Sequence, residues 1–239
     1  MTTSERSLQF YARLVGLMYP LSIAILLAPI FILSGLTAPG DFAQAASNIS
    51  GAEQTYRLAL AIRIVGSMSI LVLAWAFYAL VRVVDPNLAA FALLWRIFEV
   101  AVGNMQTTMR FSALENYTNA PGAVGMETRQ ALHDFIFTGD AGAHNVALIF
   151  FSVGSVIYFY LMFKARFLPR AWCIFCMIAS LIMTAFGFGH ILVPELASAV
   201  GFWEWTPGFV AEVGTGLWLL IRGANLKYWR ETLRAEHTS

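Results

Sequence analysis

Six apolar stretches, each long enough to cross a lipid bilayer, dominate this chain. They cover roughly residues 11–36, 56–83, 88–112, 136–163, 170–193 and 207–226. About 20 consecutive apolar residues are needed to span the hydrocarbon core as a helix. In lipid the backbone must satisfy its own hydrogen bonds, which continuous apolar runs of this length do as helices. The expected fold class is therefore all-α: a polytopic membrane protein, a bundle of six transmembrane helices forming one domain over residues 1–239. Composition agrees, because 59% of residues are hydrophobic and only 12% are charged, whereas a soluble domain is nearer a quarter charged. The first apolar run is too long for a signal-peptide core and no small-residue cleavage pattern follows it, so it reads as a retained span.

The connections differ in character. Asp85-Pro86-Asn87 and Arg166-Phe167-Leu168-Pro169-Arg170 are short and sharp, whereas 37–55, 113–135 and 194–206 are longer and polar. Basic residues collect on one side: Arg6, Arg13, Arg82, Lys164, Arg166, Arg170, Arg222, Lys227, Arg230 and Arg234. Acidic residues such as Asp41, Glu53, Glu115, Glu127, Glu195 and Glu204 fall mostly on the other. The positive-inside rule then places both termini in the cytoplasm, and Trp172, Trp203, Trp205, Tyr228 and Trp229 fit interfacial belts. A net charge of +1 with no basic run argues against a nucleic-acid partner.

The third apolar segment, LLWRIFEVAVGNMQTTMR, carries charge where lipid should forbid it. Arg96, Glu99, Gly103, Gln106 and Arg110 are spaced three, four, three and four, which keeps them on one helical face. The fifth segment repeats the pattern with Cys173, Cys176, Ser180, Thr184, Gly187 and His190. The fourth contributes Asp140 and His144, the sixth Glu212, and the second Arg63. Counted from the segment ends, these ionisable groups fall in the outer half of the membrane. A charge at the membrane centre costs about 2.5–3.5 kcal/mol even on the lenient scale, so each needs a partner or a water-filled cavity. Depth points to a structural ion pair between Arg63 and Glu99, with Glu212 as a further candidate partner and Arg96 as the second partner of Glu99. Two readings stand side by side: the ions pin the bundle in register, or Arg63, Glu99, Gln106, Arg110, Asp140, His144, His190 and Glu212 line a ligand pocket open to the outside.

Other motifs carry less. Val65-Gly66-Ser67, Val153-Gly154-Ser155 and Val213-Gly214-Thr215 recur in the three helices that run inward, where small residues let helices pack closely. Cys173 and Cys176 read as packing thiols, without the strand–helix context of a redox pair. No cofactor is predicted. The residues that would hold a metal ion are His144 and His190, assisted by Asp140 or Glu212, although no tight ligand spacing such as H-E-x-x-H joins them. His133 and His237 read as loop and tail residues. No nucleophile elbow or phosphate-binding loop is present.

The chain resembles a bacterial six-span membrane family known as domain of unknown function 4386. The resemblance covers most of the chain. It rests on Tyr11-Ala12-Arg13-Leu14-Val15-Gly16, Trp95-Arg96-Ile97-Phe98-Glu99, His144 ahead of Phe150-Phe151, Phe167-Leu168-Pro169-Arg170, and Ala211-Glu212-Val213-Gly214-Thr215-Gly216-Leu217-Trp218. It implies a bacterial cytoplasmic membrane location and makes the Arg-x-x-Glu and the sixth-span Glu ordinary features of such proteins. It implies no activity.

The expected function is a binder, transporter or sensor of a small ligand in an outward-facing polar pocket. The alternatives are a metal-dependent intramembrane hydrolase or oxidoreductase, and an accessory subunit of a membrane complex. The expected partners are the lipid bilayer, an unknown small ligand and, for the accessory reading, a partner subunit or further copies of the chain.

Overall fold

The computed structural model describes residues 3–118, 125–193, 195 and 206–227. Its helices are α1 (Thr3–Ser34), α2 (Phe42–Gly51), α3 (Glu53–Val81), α4 (Pro86–Ser112), α5 (Leu114–Thr118), α6 (Met126–Ala165), α7 (Arg170–Leu192) and α8 (Thr206–Ile221). No strand occurs among the described residues. α1, α3, α4, α6 and α7 are long and apolar enough to cross a membrane, and α8 is a shorter apolar helix. The chain is a polytopic membrane bundle.

These helices pack in a ring that follows chain order. α1 packs on α3, α3 on α4, α4 on α6, α6 on α7, α7 on α8, and α8 returns to α1. Sharp turns enforce the antiparallel order at one end. Asp85 caps α4, its carboxylate accepting from the Asn87 and Leu88 backbone amides. Pro86 occupies the first turn of that helix, where a missing N–H costs nothing. α6 ends at Arg166, whose φ of 55° is left-handed, a conformation that stops a helix. α8 returns to α1 at the same end: the Gln9 side chain donates to Ala224 O and accepts from Ala224 N.

Close approaches need residues without side chains. A Cβ on Gly16 would collide with the Leu220 backbone, so α1 and α8 touch main chain to main chain there. The three repeated Val-Gly-Ser/Thr glycines do similar work. Gly66 abuts Leu26 of α1, Gly154 abuts Trp95 of α4, and Gly214 abuts Trp172 of α7. That is the packing role expected of small residues in membrane bundles.

The structure corrects the outline read from sequence in two places. The sixth segment, expected over 207–226, is helical only to Ile221. Gly223, at φ 71°, turns the chain, and Asn225 N bonds Phe167 O at the end of the bundle that holds the Asp85 turn. Its 16 residues rise only about 24 Å. Stretches 37–55 and 113–135, read as loops, contain α2, α5 and the first turns of α6, a helix of 40 residues. These pieces form a cap over the opposite end of the bundle, with their own apolar core of Leu33, Phe42, Ile49, Tyr56, Leu114, Tyr117 and Ile136. Stretch 194–206 lies outside the described residues except Glu195 and Thr206, as do Trp203, Trp205, Tyr228, Trp229, Arg230, Arg234 and His237.

Candidate functional site

The polar stripe of α4 faces inward as its spacing requires. Arg96 and Gln106 are buried, while Ile97, Phe98 and Met105 on the other side are exposed to the surroundings of the bundle. The stripe of α7 does likewise: Cys173, Cys176, Ser180 and Gly187 are buried. Ser152 and Thr184 join α6 to α7 at 2.8 Å, and His190 meets Asn145 at 3.2 Å.

The expected pair of Arg63 and Glu99 does not form. Arg63 Nε donates to Thr107 Oγ1 at 3.2 Å and its Nη2 donates to Gln106 Oε1 at 2.7 Å. Glu99 instead meets Arg96 of its own helix at 3.0 Å. The Asp85 turn sets the register of α3 against α4. Tyr56 with Arg110, Arg63 with Gln106 and Thr107, and Ser67 with Asn104 are successive rungs of one antiparallel ladder. Glu99 lies seven residues below Gln106, about 10 Å at 1.5 Å per residue, out of Arg63's reach. The single outer site expected from sequence is thus two sites.

The first cluster sits near the middle of α4. Arg96 lies ten residues above Pro86, about 15 Å from that end of α4. Its guanidinium stacks 4.6 Å from the centre of the Phe151 ring, a favourable cation–π contact. Arg96 interacts electrostatically with Glu99, with Glu212 of α8 and with Tyr19 of α1. Glu212 therefore belongs here, with Arg96, and not with the residues around Arg63. The Arg96–Glu99 contact lacks hydrogen-bond alignment, and Glu99 Oε2 is buried without accepting a hydrogen bond. Cys176 Sγ lies 3.7 Å from Thr215 Oγ1 between α7 and α8, and both cysteines are buried and free.

The second cluster, at the capped end of the bundle, surrounds a cavity of about 470 Å³. Its walls come from α1 (Ile30, Leu33, Ser34), α3 (Arg63), α4 (Gln106, Arg110) and α6 (Phe137, Asp140, Ala141, His144, Asn145), with Thr37 just beyond α1. The polar side chains hold one another in order. Arg110 grips Asp140 with two bonds, Nε to Oδ1 at 3.2 Å and Nη2 to Oδ2 at 2.7 Å, a bidentate geometry that is the strong form of such a pair. Gln106 donates its amide to Asp140 O at 2.6 Å, which turns its carbonyl oxygen toward Arg63. His144 lines the cavity and interacts electrostatically with Asp140, Arg63 and His190. The volume falls within the usual range for small-ligand pockets. Among the described residues no group of three or more His, Cys, Asp or Glu side chains is placed to hold a metal ion.

His133, read from sequence as a loop residue, is fully buried in α6 beneath the cap. Its Nε2 bonds Ala38 O at 3.0 Å, and its Nδ1 lies 2.8 Å from Tyr117 Oη. A carbonyl only accepts, so Nε2 carries the proton and Nδ1 accepts from the tyrosine. Burial pushes the ionisation of the Tyr117 hydroxyl upward, which keeps it a donor. No signal marked this residue, because its partners come from Ala38 and Tyr117, far apart in the chain.

Fold and site together define a helical, multi-pass membrane protein with a cavity of mixed polar and apolar lining at one end of its ring. The chain belongs to the family described as Domain of unknown function (DUF4386), whose model matches residues 14–223. No curated protein and no solved structure matches it.

Proposed function

We propose that this protein binds a small ligand from the outer side of a bacterial cytoplasmic membrane, in the cavity between α1, α3, α4 and α6. The reading takes the chain as one domain with six spans and both termini in the cytoplasm. The sidedness of charge supports that orientation: Arg82, Lys164, Arg166, Arg170 and Arg222 lie at the inner end, and Asp41, Glu53, Glu115 and Glu127 at the other.

One observation carries the ligand-binding reading. Arg63, Gln106, Arg110, Asp140 and His144, from three helices, converge on a single cavity of about 470 Å³. Intramembrane ionisable residues that face a cavity are functional candidates by default. Binding at such a cavity is the step that a transporter and a sensor share.

A thermal-shift screen of purified protein in detergent tests it, with wild type and the cavity-filling Ala141→Trp run against the same panel of small molecules. At least one compound should raise the wild-type Tm saturably and leave the variant unmoved. Equal shifts in both proteins, or no shift with any compound, would overturn the proposal.

A further inference from the structure

The geometry points to a monoanionic amphiphile as the ligand of the outer cavity: a single carboxylate- or phosphodiester-type head seated on Arg63 with a short aliphatic part against Ile30, Leu33 and Phe137. This rests on the ligand-binding reading above and adds the chemical class.

Charge bookkeeping within the cavity gives the head group. Two guanidinium groups and one carboxylate line it. Asp140 is already held by both arms of Arg110. Arg63 hydrogen-bonds only the neutral oxygens of Thr107 and Gln106 and makes no ion pair among the described residues. A guanidinium has five N–H donors, so most of those on Arg63 are left for a ligand. One positive charge is therefore unbalanced in a half-buried place, where a charge-assisted bond to an anion is about twice as strong as a neutral one. A cation would meet repulsion, and a dianion would bring a second charge with no counterpart.

The scaffold around Arg63 is preorganised for this. Thr107 and Gln106 fix its guanidinium at two points, and Gln106 is itself fixed by Asp140 O at 2.6 Å. The apolar part of the ligand follows from the rest of the lining, where the side chains of Ile30, Leu33 and Phe137 offer no polar atom. Ile30 is exposed at the edge of the cavity, which leaves room for a chain to run out along α1. A free short-chain acid and a membrane lipid with a single-charged head share this chemistry.

The test uses full-length protein in a neutral detergent. Decanoate, decanol and decyltrimethylammonium, each below its micellar concentration, are titrated against wild type, Arg63→Gln and Arg63→Lys. Decanoate should bind wild type saturably, at least tenfold more weakly to Arg63→Gln, and with intermediate affinity to Arg63→Lys. Decanol and the ammonium should bind at least tenfold more weakly than decanoate to wild type. Arg63→Gln should melt only slightly below wild type without ligand, since it loses two hydrogen bonds to neutral oxygens and strands no counter-charge; a loss of Tm as large as that of Glu99→Gln would make Arg63 a structural residue and overturn the assignment. Saturable binding of decanol or the ammonium in the cavity, with decanoate no better, would overturn the anion class and leave ligand binding standing. No binding of any of the three, with Ala141→Trp indistinguishable from wild type, would overturn both. Reconstitution separates the sources. Competition by phosphatidylglycerol but not phosphatidylcholine identifies a lipid head, and decanoate binding unaffected by either identifies a free acid.

Discussion

Arg96 and Glu99 meet at 3.0 Å one turn apart on α4, and Arg63, on the neighbouring helix, belongs to a separate cluster nearer the capped end of the bundle. Removing one member of a buried ion pair strands the other, at a cost of about 3–5 kcal/mol. Glu99→Gln and Arg96→Gln should each lower the detergent Tm, and the double variant should recover part of the loss. Arg63→Gln combined with Glu99→Gln should be additive, as expected of sites without shared partners. A double-mutant cycle by thermal melting checks both, and coupling between Arg63 and Glu99 would contradict the register of α3 against α4.

His133 and Tyr117 lock the cap. His133→Ala leaves Ala38 O and the Tyr117 hydroxyl without their partner, at a cost of about 1–3 kcal/mol. Tyr117→Phe should cost about 0.5–1.5 kcal/mol. The buried hydroxyl ionises with more difficulty folded than unfolded, so its contribution is complete below the unfolded value of about 10 and is lost above it. Tm measured from pH 8 to pH 11 should therefore fall less steeply for Tyr117→Phe than for wild type.

Cys173 and Cys176 fill space. Replacing both with Ala should leave folding and ligand binding near wild type, with a cost below about 1.5 kcal/mol. A maleimide should react with neither thiol until the protein is denatured. Loss of a bound metal in the double variant would reverse this reading.

At Gly16 the backbone of α1 lies against that of α8. Gly16→Leu forces the two helices apart and should destabilise by more than the roughly 1–3 kcal/mol typical of overpacking, because the obstruction is the Leu220 backbone. Gly142→Leu, where a Cβ meets nothing within 4 Å, is the matched control and should melt near wild type.

The inward stripes were legible because helical period alone decides which residues share a face. Spacing along the chain suffices to group Arg96, Glu99, Gln106 and Arg110, and it also pairs Arg96 with Glu99. The partner of Arg63 was not legible. Depth counted from the edge of an apolar run misleads there, because the register of Arg63 is set by the Asp85-capped turn at the opposite end of α3. Glu212 was misplaced for a related reason, since a count from the start of its apolar run does not say which residues of α4 lie nearest to it. The cap escaped notice because α2 is short and His133 sits ahead of the apolar part of α6. The cavity itself brings together α1, α3, α4 and α6, a conjunction that only the ring arrangement creates.

Impermeant-maleimide labelling of Ala141→Cys on intact cells, in a background lacking Cys173 and Cys176, tests the central claim most directly. Ala141 lines the outer cavity beside Asp140. The predicted result is labelling from outside without permeabilisation, slowed by decanoate in a protein with Arg63 and unaffected by it in Arg63→Gln. Labelling only after the membrane is opened, or at a rate no ligand changes, would contradict an outward-facing binding cavity.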